Sequence, residues 1–370
     1  MKYYIIAGEA SGDLHGSNLM KALLEEDKSA DIRFWGGDLM QNVGGTLVSH
    51  YKERAFMGFF EVVKNLVKVL KFIKLCKEDI FKFKPDVVIF IDNSGFNLRI
   101  AKWAKQQGFR TNYYISPQVW ASRAGRVKDI KRDIDHMFVI LPFEEAFYQK
   151  FDYQVTFVGH PLIDAIANRT QVSLQQFREE NHLSTLPIIA ILPGSRKQEI
   201  TKMLSVMLSI IDDYKDYQFV IAGAPSQEIE FYNQIIGNKK VVFINNKTYD
   251  LLSVSYAALV ASGTATLETA LFKVPQLVCY KGGNISYQIA KRIITLKYIS
   301  LVNLIMDQEV VKELIQNDFN KKNLQKELSK ILAKNQREKL FLQYYDLEKK
   351  LGGKGASKKV AQMIVSELKK

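Results

Sequence analysis

The sequence predicts an α/β protein built as two Rossmann-like halves, and three observations predict it. Short apolar runs alternate with helical patterns along most of the chain, the pattern of βαβ units in an open, doubly wound sheet. Several runs, Asp86-Val87-Val88-Ile89-Phe90-Ile91-Asp92 among them, are apolar on both faces, as in a parallel sheet covered by helices on each side. The chain has 370 residues, more than one hydrophobic core usually serves, so two domains are expected.

Strands of the first half are predicted at Tyr3–Ala7, Asp31–Trp35, Val87–Ile91, Thr111–Ile115, Met137–Ile140 and Thr156–Val158. The second half repeats the style at Ile188–Leu192, Gln218–Ala222, Val241–Ile244, Ala258–Ala261 and Gln276–Tyr280. A polar, helical stretch from Asn168 to Pro187 separates them. This predicts one domain over residues 1–166 and a second over 167–335. A helical tail, 336–370, is expected to pack on an N-terminal domain, its own or a partner's. That tail is rich in Lys, Glu and Gln and is broken at Gly352-Gly353. Open α/β sheets bind ligands outside the carboxyl ends of their strands. The motifs that follow strands are therefore expected to line one interdomain cleft.

Hydrophobic residues make up 47% and charged residues 25%, enough for a large core and ordinary for a globular protein. The net charge of +13 suits nucleic acid, an anionic membrane surface or phosphorylated substrates. Two cysteines, Cys76 and Cys279, form no Cys-x-x-Cys pair, which argues against a zinc site or a disulfide framework. The apolar part of the opening segment is too short for a signal peptide. No run approaches the ~20 apolar residues of a membrane span, so contact with lipid would be peripheral.

Five motifs carry candidate chemistry. The first is Gly8-Glu9-Ala10-Ser11-Gly12-Asp13, between a strand and a helix. Gly8, Ser11 and Gly12 are small enough to let a ligand approach the helix N-terminus, or they simply ease the turn. The second is Asp92-Asn93-Ser94-Gly95-Phe96-Asn97. Asp92 ends an apolar strand, where a carboxylate with raised proton affinity can serve as a general base; the competing reading is an N-cap. The third is Leu192-Pro193-Gly194-Ser195-Arg196, with backbone amides, a hydroxyl and a guanidinium fork suited to phosphate, or a turn with a surface arginine.

The fourth is Ser262-Gly263-Thr264-Ala265-Thr266-Leu267-Glu268. It opens a helix whose amides and dipole favour an anion, with Glu268 placed to accept from ribose hydroxyls. A capping box is the alternative. The fifth is the amphipathic helix from about Phe59 to Phe83, with Lys64, Lys68, Lys71 and Lys74 on one stripe and Phe56, Met57, Phe59 and Phe60 at its start. It reads as a membrane-surface element, or as a core-packed helix with a solvated lysine face. The tripeptide Asp133-Ile134-Asp135 matches the D-x-D metal motif known from some glycosyltransferases, but so short a match is common by chance, and the five histidines show no i, i+4 pairing.

Taken together, AGEASGDLHG, MGFFEV, IDNSGFNLRIAK, SPQVWASRAGRVKDI, LPFEEAFY, VGHPLID, LPGSRKQEI and SGTATLETAL resemble the lipid-A-disaccharide synthase family over residues 7 to 270. The resemblance implies a GT-B architecture and an inverting transfer from UDP-2,3-diacylglucosamine to 2,3-diacylglucosamine 1-phosphate. It implies no metal or organic cofactor, a peripheral position on the cytoplasmic face of the inner membrane, and a monomer or a C-terminally exchanged homodimer. Nucleic acid is not an expected partner. By the same resemblance Asp92 is the general base. Arg196, Gly263, Thr264, Ala265, Thr266, Glu268 and Asn303 are donor residues, joined from the motif reading by Gly194, Ser195 and Ser262, and Glu9, Asp13 and Arg123 are polar cleft positions.

The sequence departs from the family pattern at Ser94 and Gly95, at Ser122, and at Val302, Asp307 and Gln308. These changes bear on acyl preference and donor contacts and leave Asp92 and Arg196 in place. Two other classes fit parts of the pattern: an epimerase acting on UDP-N-acetylglucosamine, and a non-catalytic lipid-binding protein.

Overall fold

The computed structural model describes residues 1–54, 66–224, 227–283 and 297–370. The chain forms two compact units, Met1–Pro161 with Leu351–Lys370, and Leu162–Lys350.

Among the described residues unit 1 holds seven strands: β1 (Lys2–Ala7), β2 (Asp31–Gly36), β3 (Thr46–His50), β4 (Val87–Ile91), β5 (Arg110–Tyr114), β6 (His136–Val139) and β7 (Thr156–Phe157). They pair in parallel in the order β3-β2-β1-β4-β5-β6-β7. Successive side chains of a strand point to opposite faces, and here both faces are buried. Tyr3, Ile5 and Ala7 pack with Leu19, Met20 and Leu23 of helix α1 (Ala10–Glu26). Tyr4 and Ile6 pack on the other side with Ile80, Phe90 and Ile100. Each such fully buried aliphatic side chain contributes about 1.5–3 kcal/mol.

The C-terminal helix Ala356–Leu368 returns to unit 1. Its stripe Val360, Ala361, Ile364 and Val365 joins the cluster formed by α1 and the sheet. The return is tight. The His160 amide donates to the Leu351 carbonyl at 2.9 Å. A Cβ on Gly352 would stand 3.0 Å from the Cα of Gly159, and both residues have positive φ (+86° and +94°), so glycine is required twice.

Among the described residues unit 2 has six strands: β8 (Ile188–Leu192), β9 (Gln218–Gly223), β10 (Val242–Asn245), β11 (Ala257–Ala261), β12 (Gln276–Tyr280) and β13 (Lys312–Ile315). Their order is β10-β9-β8-β11-β12-β13, all pairs parallel. The helix Lys334–Lys350 belongs to this unit through its buried Leu340, Tyr344 and Leu347 and an ion pair between Lys273 and Glu348. The chain returns to unit 1 from Leu351 onward, with the last helix.

Two strands, β3 and β13, were not legible as strands. Both lie at sheet edges and carry polar residues, TLVSH and KELI, where one flank has no partner to demand an apolar run. The D-x-D tripeptide is structural. Asp135 accepts from the Thr111 amide at 3.0 Å and pairs with Lys105, and Asp133 pairs with Arg132 at 2.7 Å.

Candidate active site

In each unit the strand order reverses once, between β1 and β4 in unit 1 and between β8 and β11 in unit 2. The loops that leave adjacent strands in opposite directions open a crevice at the carboxyl edge of the sheet. Four of the five motifs lie at these two reversals.

In unit 1, β1 and β4 run in register with Ala7 beside Ile91, so Gly8-Glu9 and Asp92-Asn93 emerge side by side. Asp92 and Asn93 both adopt left-handed backbone, φ +47° and +43°, an unusual conformation outside glycine that costs of order 1–3 kcal/mol per residue. Neighbouring groups hold it in place. The Asp92 amide donates to the Tyr114 carbonyl at 3.2 Å, and the Asp92 carbonyl accepts from Asn97 Nδ2 at 2.8 Å and from the Tyr113 hydroxyl. Asn97 is fully buried. Gly8 must lack a side chain, because a Cβ there would sit 1.8 Å from Asn93 Nδ2.

Asp92 is not the cap of the helix Ser94–Gln106; the N-cap position is Asn93. The Asp92 carboxylate instead stands at the sheet edge with its proton affinity raised. Desolvation is the largest cause, the negative charge of Glu9 adds to it, and a hydrogen bond from the Asn93 amide opposes both. Glu9 and Ser11 are exposed, whereas Gly12 is buried against Ala7. Arg123 is exposed after the short helix Val119–Ser122.

Asp13 is placed differently from the expected cleft contact. It is 3% exposed, and its carboxylate accepts from the amides of Gly37 (2.7 Å), Leu39 (3.0 Å) and Met40 (3.0 Å). It therefore secures the start of helix α2 (Asp38–Val43).

In unit 2, Gly194 turns at φ +106°, where only glycine is unstrained. Arg196 begins the helix Lys197–Leu208 with its guanidinium 77% exposed and 3.4 Å from Glu199 Oε1. Across the reversal, Gly263 is the N-cap of the helix Thr264–Leu271, and a Cβ there would meet open space. Gly263 and Thr264 are exposed and Ala265 is half-buried. Two hydroxyls of this motif are engaged within the fold: Ser262 Oγ donates to the Ile299 carbonyl at 3.1 Å, and Thr266 Oγ1 donates to the Gly263 carbonyl at 2.8 Å. No capping box forms with Glu268, which accepts a hydrogen bond from Tyr249 instead (2.8 Å).

Asn303 also departs from expectation. It is fully buried and its side chain is saturated. Oδ1 accepts from the amides of Val310 (2.8 Å) and Val311 (2.9 Å), and Nδ2 donates to the Val311 carbonyl (2.8 Å) and to Glu313 Oε1 (2.9 Å). A donor contact would have to break that set, so Asn303 organises the turn into β13.

The fifth motif is described from Leu66 onward. Phe56, Met57, Phe59, Phe60 and Lys64 lie outside the described residues. The helix Leu66–Phe83 buries Cys76 and Ile80. Its other face leaves Val67 (68% exposed), Leu70 (55%), Leu75 and Phe81 in solvent beside exposed Lys71 and Lys74. Lys68 is also exposed. Lysines and large apolar side chains thus share one solvent face. Among the described residues no helix is long and apolar enough to cross a membrane.

Sequence reading assigned no role to Tyr249, Tyr113 or Asn97. Asn97 was visible within its motif, but its clamp on the Asp92 carbonyl depends on the tertiary path of β4. Tyr249 carries no local signal at all.

Comparison with known proteins follows the same lines. The family model described as lipid-A-disaccharide synthetase matches residues 3–366. The lipid-A-disaccharide synthase of Syntrophus aciditrophicus is 38% identical, covering 99% of this chain and 97% of that protein. That of Geobacter metallireducens is 36% identical over 99% and 97%, and that of Coxiella burnetii 34% over 97% and 96%. Among solved structures, the S. aureus MnaA–UDP co-structure superposes with a TM-score of 0.70 at 16% identity, covering 100% of this chain and 97% of that one. A Methanocaldococcus jannaschii UDP-GlcNAc 2-epimerase in complex with UDP-GlcNAc and UDP gives 0.67 at 15%, covering 99% and 100%. At such identities the structural likeness speaks for the GT-B fold alone. The chain belongs to the lipid-A-disaccharide synthase family, glycosyltransferases that form the lipid A disaccharide in lipid A biosynthesis.

Proposed function

We propose that the chain transfers the sugar of UDP-2,3-diacylglucosamine to 2,3-diacylglucosamine 1-phosphate, with Asp92 as the base. The acceptor 6-hydroxyl oxygen attacks the anomeric carbon of the donor, and its proton passes to the Asp92 carboxylate. The bond from that carbon to the diphosphate breaks, and UDP leaves with the electron pair. Attack from the face opposite UDP inverts the centre and yields the β-1′,6 linkage. The observation that carries this reading is Asp92 itself: a carboxylate at a strand's carboxyl end, on strained and clamped backbone, with raised proton affinity. A general base works best when its proton affinity approaches the working pH.

Unit 2 takes the donor in this reading. Arg196 and the amides at Gly263–Ala265 answer the charge that grows on departing UDP. Gly194 and Ser195 shape the turn that delivers Arg196. Ser262, Thr266, Asn303 and Asp13 act as scaffold, consistent with their internal hydrogen bonds. Gly8, Glu9, Ser11, Gly12 and Arg123 serve the acceptor side, with Arg123 offered to its phosphate. Arg196→Ala is expected to raise the KM for the UDP-sugar about tenfold or more, as loss of a charge-assisted bond does; unchanged donor kinetics would count against the assignment.

The mixed face of the helix Leu66–Phe83 supports peripheral binding to the cytoplasmic leaflet of the inner membrane. Apolar side chains enter the interface while lysines meet anionic headgroups. Either a monomer or a C-terminally exchanged homodimer would bury the apolar stripe of the C-terminal helix on a unit 1. The whole reading is tested by UDP release with both acylated substrates, with and without the acceptor. UDP appearing only when both are present is expected. Release of a free epimerised sugar would favour the epimerase class instead.

A further inference from the structure

Glu268 sits in the second turn of the helix Thr264–Leu271, one turn behind the amides that open at the β8/β11 crevice. One of its carboxylate oxygens, Oε1, accepts from the Tyr249 hydroxyl at 2.8 Å. The other takes no hydrogen bond among the described residues. Tyr249 lies in the first turn of the neighbouring helix Thr248–Val254 and is itself braced. Its ring packs at 5.4 Å against Phe272, whose ring carries the Arg169 guanidinium at 4.8 Å. Arg169 in turn reaches Asp250, the residue after Tyr249, at 3.6 Å. A glutamate has three side-chain torsions, and an unbraced one loses rotamer freedom when it binds. Here that freedom is already removed at one oxygen.

We propose that Tyr249 is a positioning residue for the donor ribose: it holds Glu268 by one carboxylate oxygen so that the other accepts from a ribose hydroxyl. This rests on the reading that unit 2 binds UDP at the β8/β11 crevice. The consequence is selectivity. A site built to accept from a hydroxyl rejects an analogue that lacks it, because the buried acceptor is left unpaired.

The test is equilibrium binding of UDP, 2′-deoxy-UDP and 3′-deoxy-UDP to the full chain, with donor kinetics alongside. The wild-type protein is expected to prefer UDP about tenfold over the analogue lacking the bonded hydroxyl, the cost of one hydrogen bond to a charged group. Tyr249→Phe removes one oxygen and keeps the ring against Phe272. It is expected to erase most of that preference, leave deoxy-nucleotide affinity unchanged, and raise the donor KM without changing kcat. Glu268→Gln should lose the preference as well, and the double variant should lose no more than Glu268→Gln alone. A Tyr249→Phe protein that keeps the wild-type preference, or that weakens UDP and both analogues equally, overturns the proposal. Wild-type binding of UDP with no preference overturns the role of Glu268 while sparing the nucleotide site. No UDP binding at all overturns the reading beneath both.

Discussion

Asp92 stands just past β4, whose last residue is Ile91. Its raised proton affinity comes first from desolvation and then from Glu9, so the basic form is present only above the raised value. Activity should therefore fall as pH drops through a point above the ordinary aspartate value of 3.8. Replacing Glu9 by Gln removes a negative neighbour and makes ionisation of Asp92 easier. The acid limb of kcat/KM is expected to move to lower pH in Glu9→Gln, and a limb that stays in place would deny Glu9 this influence. Both residues were legible in the sequence, since each follows an apolar strand. Their adjacency was not, because it follows from the order β1-β4 in a sheet whose strands lie 84 positions apart by the register Tyr3 to Val87.

Two buried histidines carry a second pH effect. Burial lowers His15 to about 4 and His160 to about 3, from 6.5, and His15 adds to the shift in His160. The unfolded chain binds protons at these residues that the folded chain refuses. Their stabilisation is full above about pH 6.5 and is lost as pH falls toward 4 and 3, by up to about 1.4 kcal/mol per histidine per pH unit. Denaturant titrations between pH 7 and 4 should show this slope, and His15→Asn should flatten it.

At the scale of elements, helix termini explain several residues that motif reading had assigned to ligands. Asp13 gathers three amides at the start of α2. Hydrogen bonds to a charged group contribute about 1.5–3 kcal/mol, so Asp13→Asn is expected to lower the unfolding free energy by about that amount in a denaturant melt. Asn303 does the equivalent work at the turn into β13. Sequence cannot separate a polar residue that faces a ligand from one that satisfies the backbone, because both sit in the same loop after the same kind of strand.

The helix Leu66–Phe83 gives the opposite lesson. Its amphipathic spacing was plain, but the pattern suggested lysines on one stripe and apolar residues on the rest. The structure puts Val67 and Leu70 in solvent with Lys71 and Lys74. Vesicles of phosphatidylglycerol and phosphatidylethanolamine should co-sediment with the protein. Leu70→Glu should weaken that binding more than Lys71→Ala does, and added salt should weaken only the lysine contribution. Equal binding by Leu70→Glu would remove this helix from the lipid surface.

At the scale of the molecule, eleven of the thirteen strands among the described residues could be read ahead of the structure, because parallel strands buried on both faces need continuous apolar runs. Of the four edge strands, β7 and β10 kept enough apolar character to be read, whereas the more polar β3 and β13 escaped. The reversal of strand order in each sheet then explains why motifs spread over two hundred residues share one property: each leaves a strand beside a crevice. The last helix returns to unit 1 because Val360, Ile364 and their neighbours complete the core around α1. This closure makes the two ends of the chain parts of one unit, which composition alone did not require.

If Asp92 takes the acceptor's proton, Asp92→Asn removes the base while keeping the shape of the side chain. UDP release with both acylated substrates, measured beside UDP binding and thermal unfolding, should give a turnover lower by about 10²–10⁴-fold with binding and unfolding unchanged. Turnover near the wild-type rate in a protein that binds UDP normally would contradict the account.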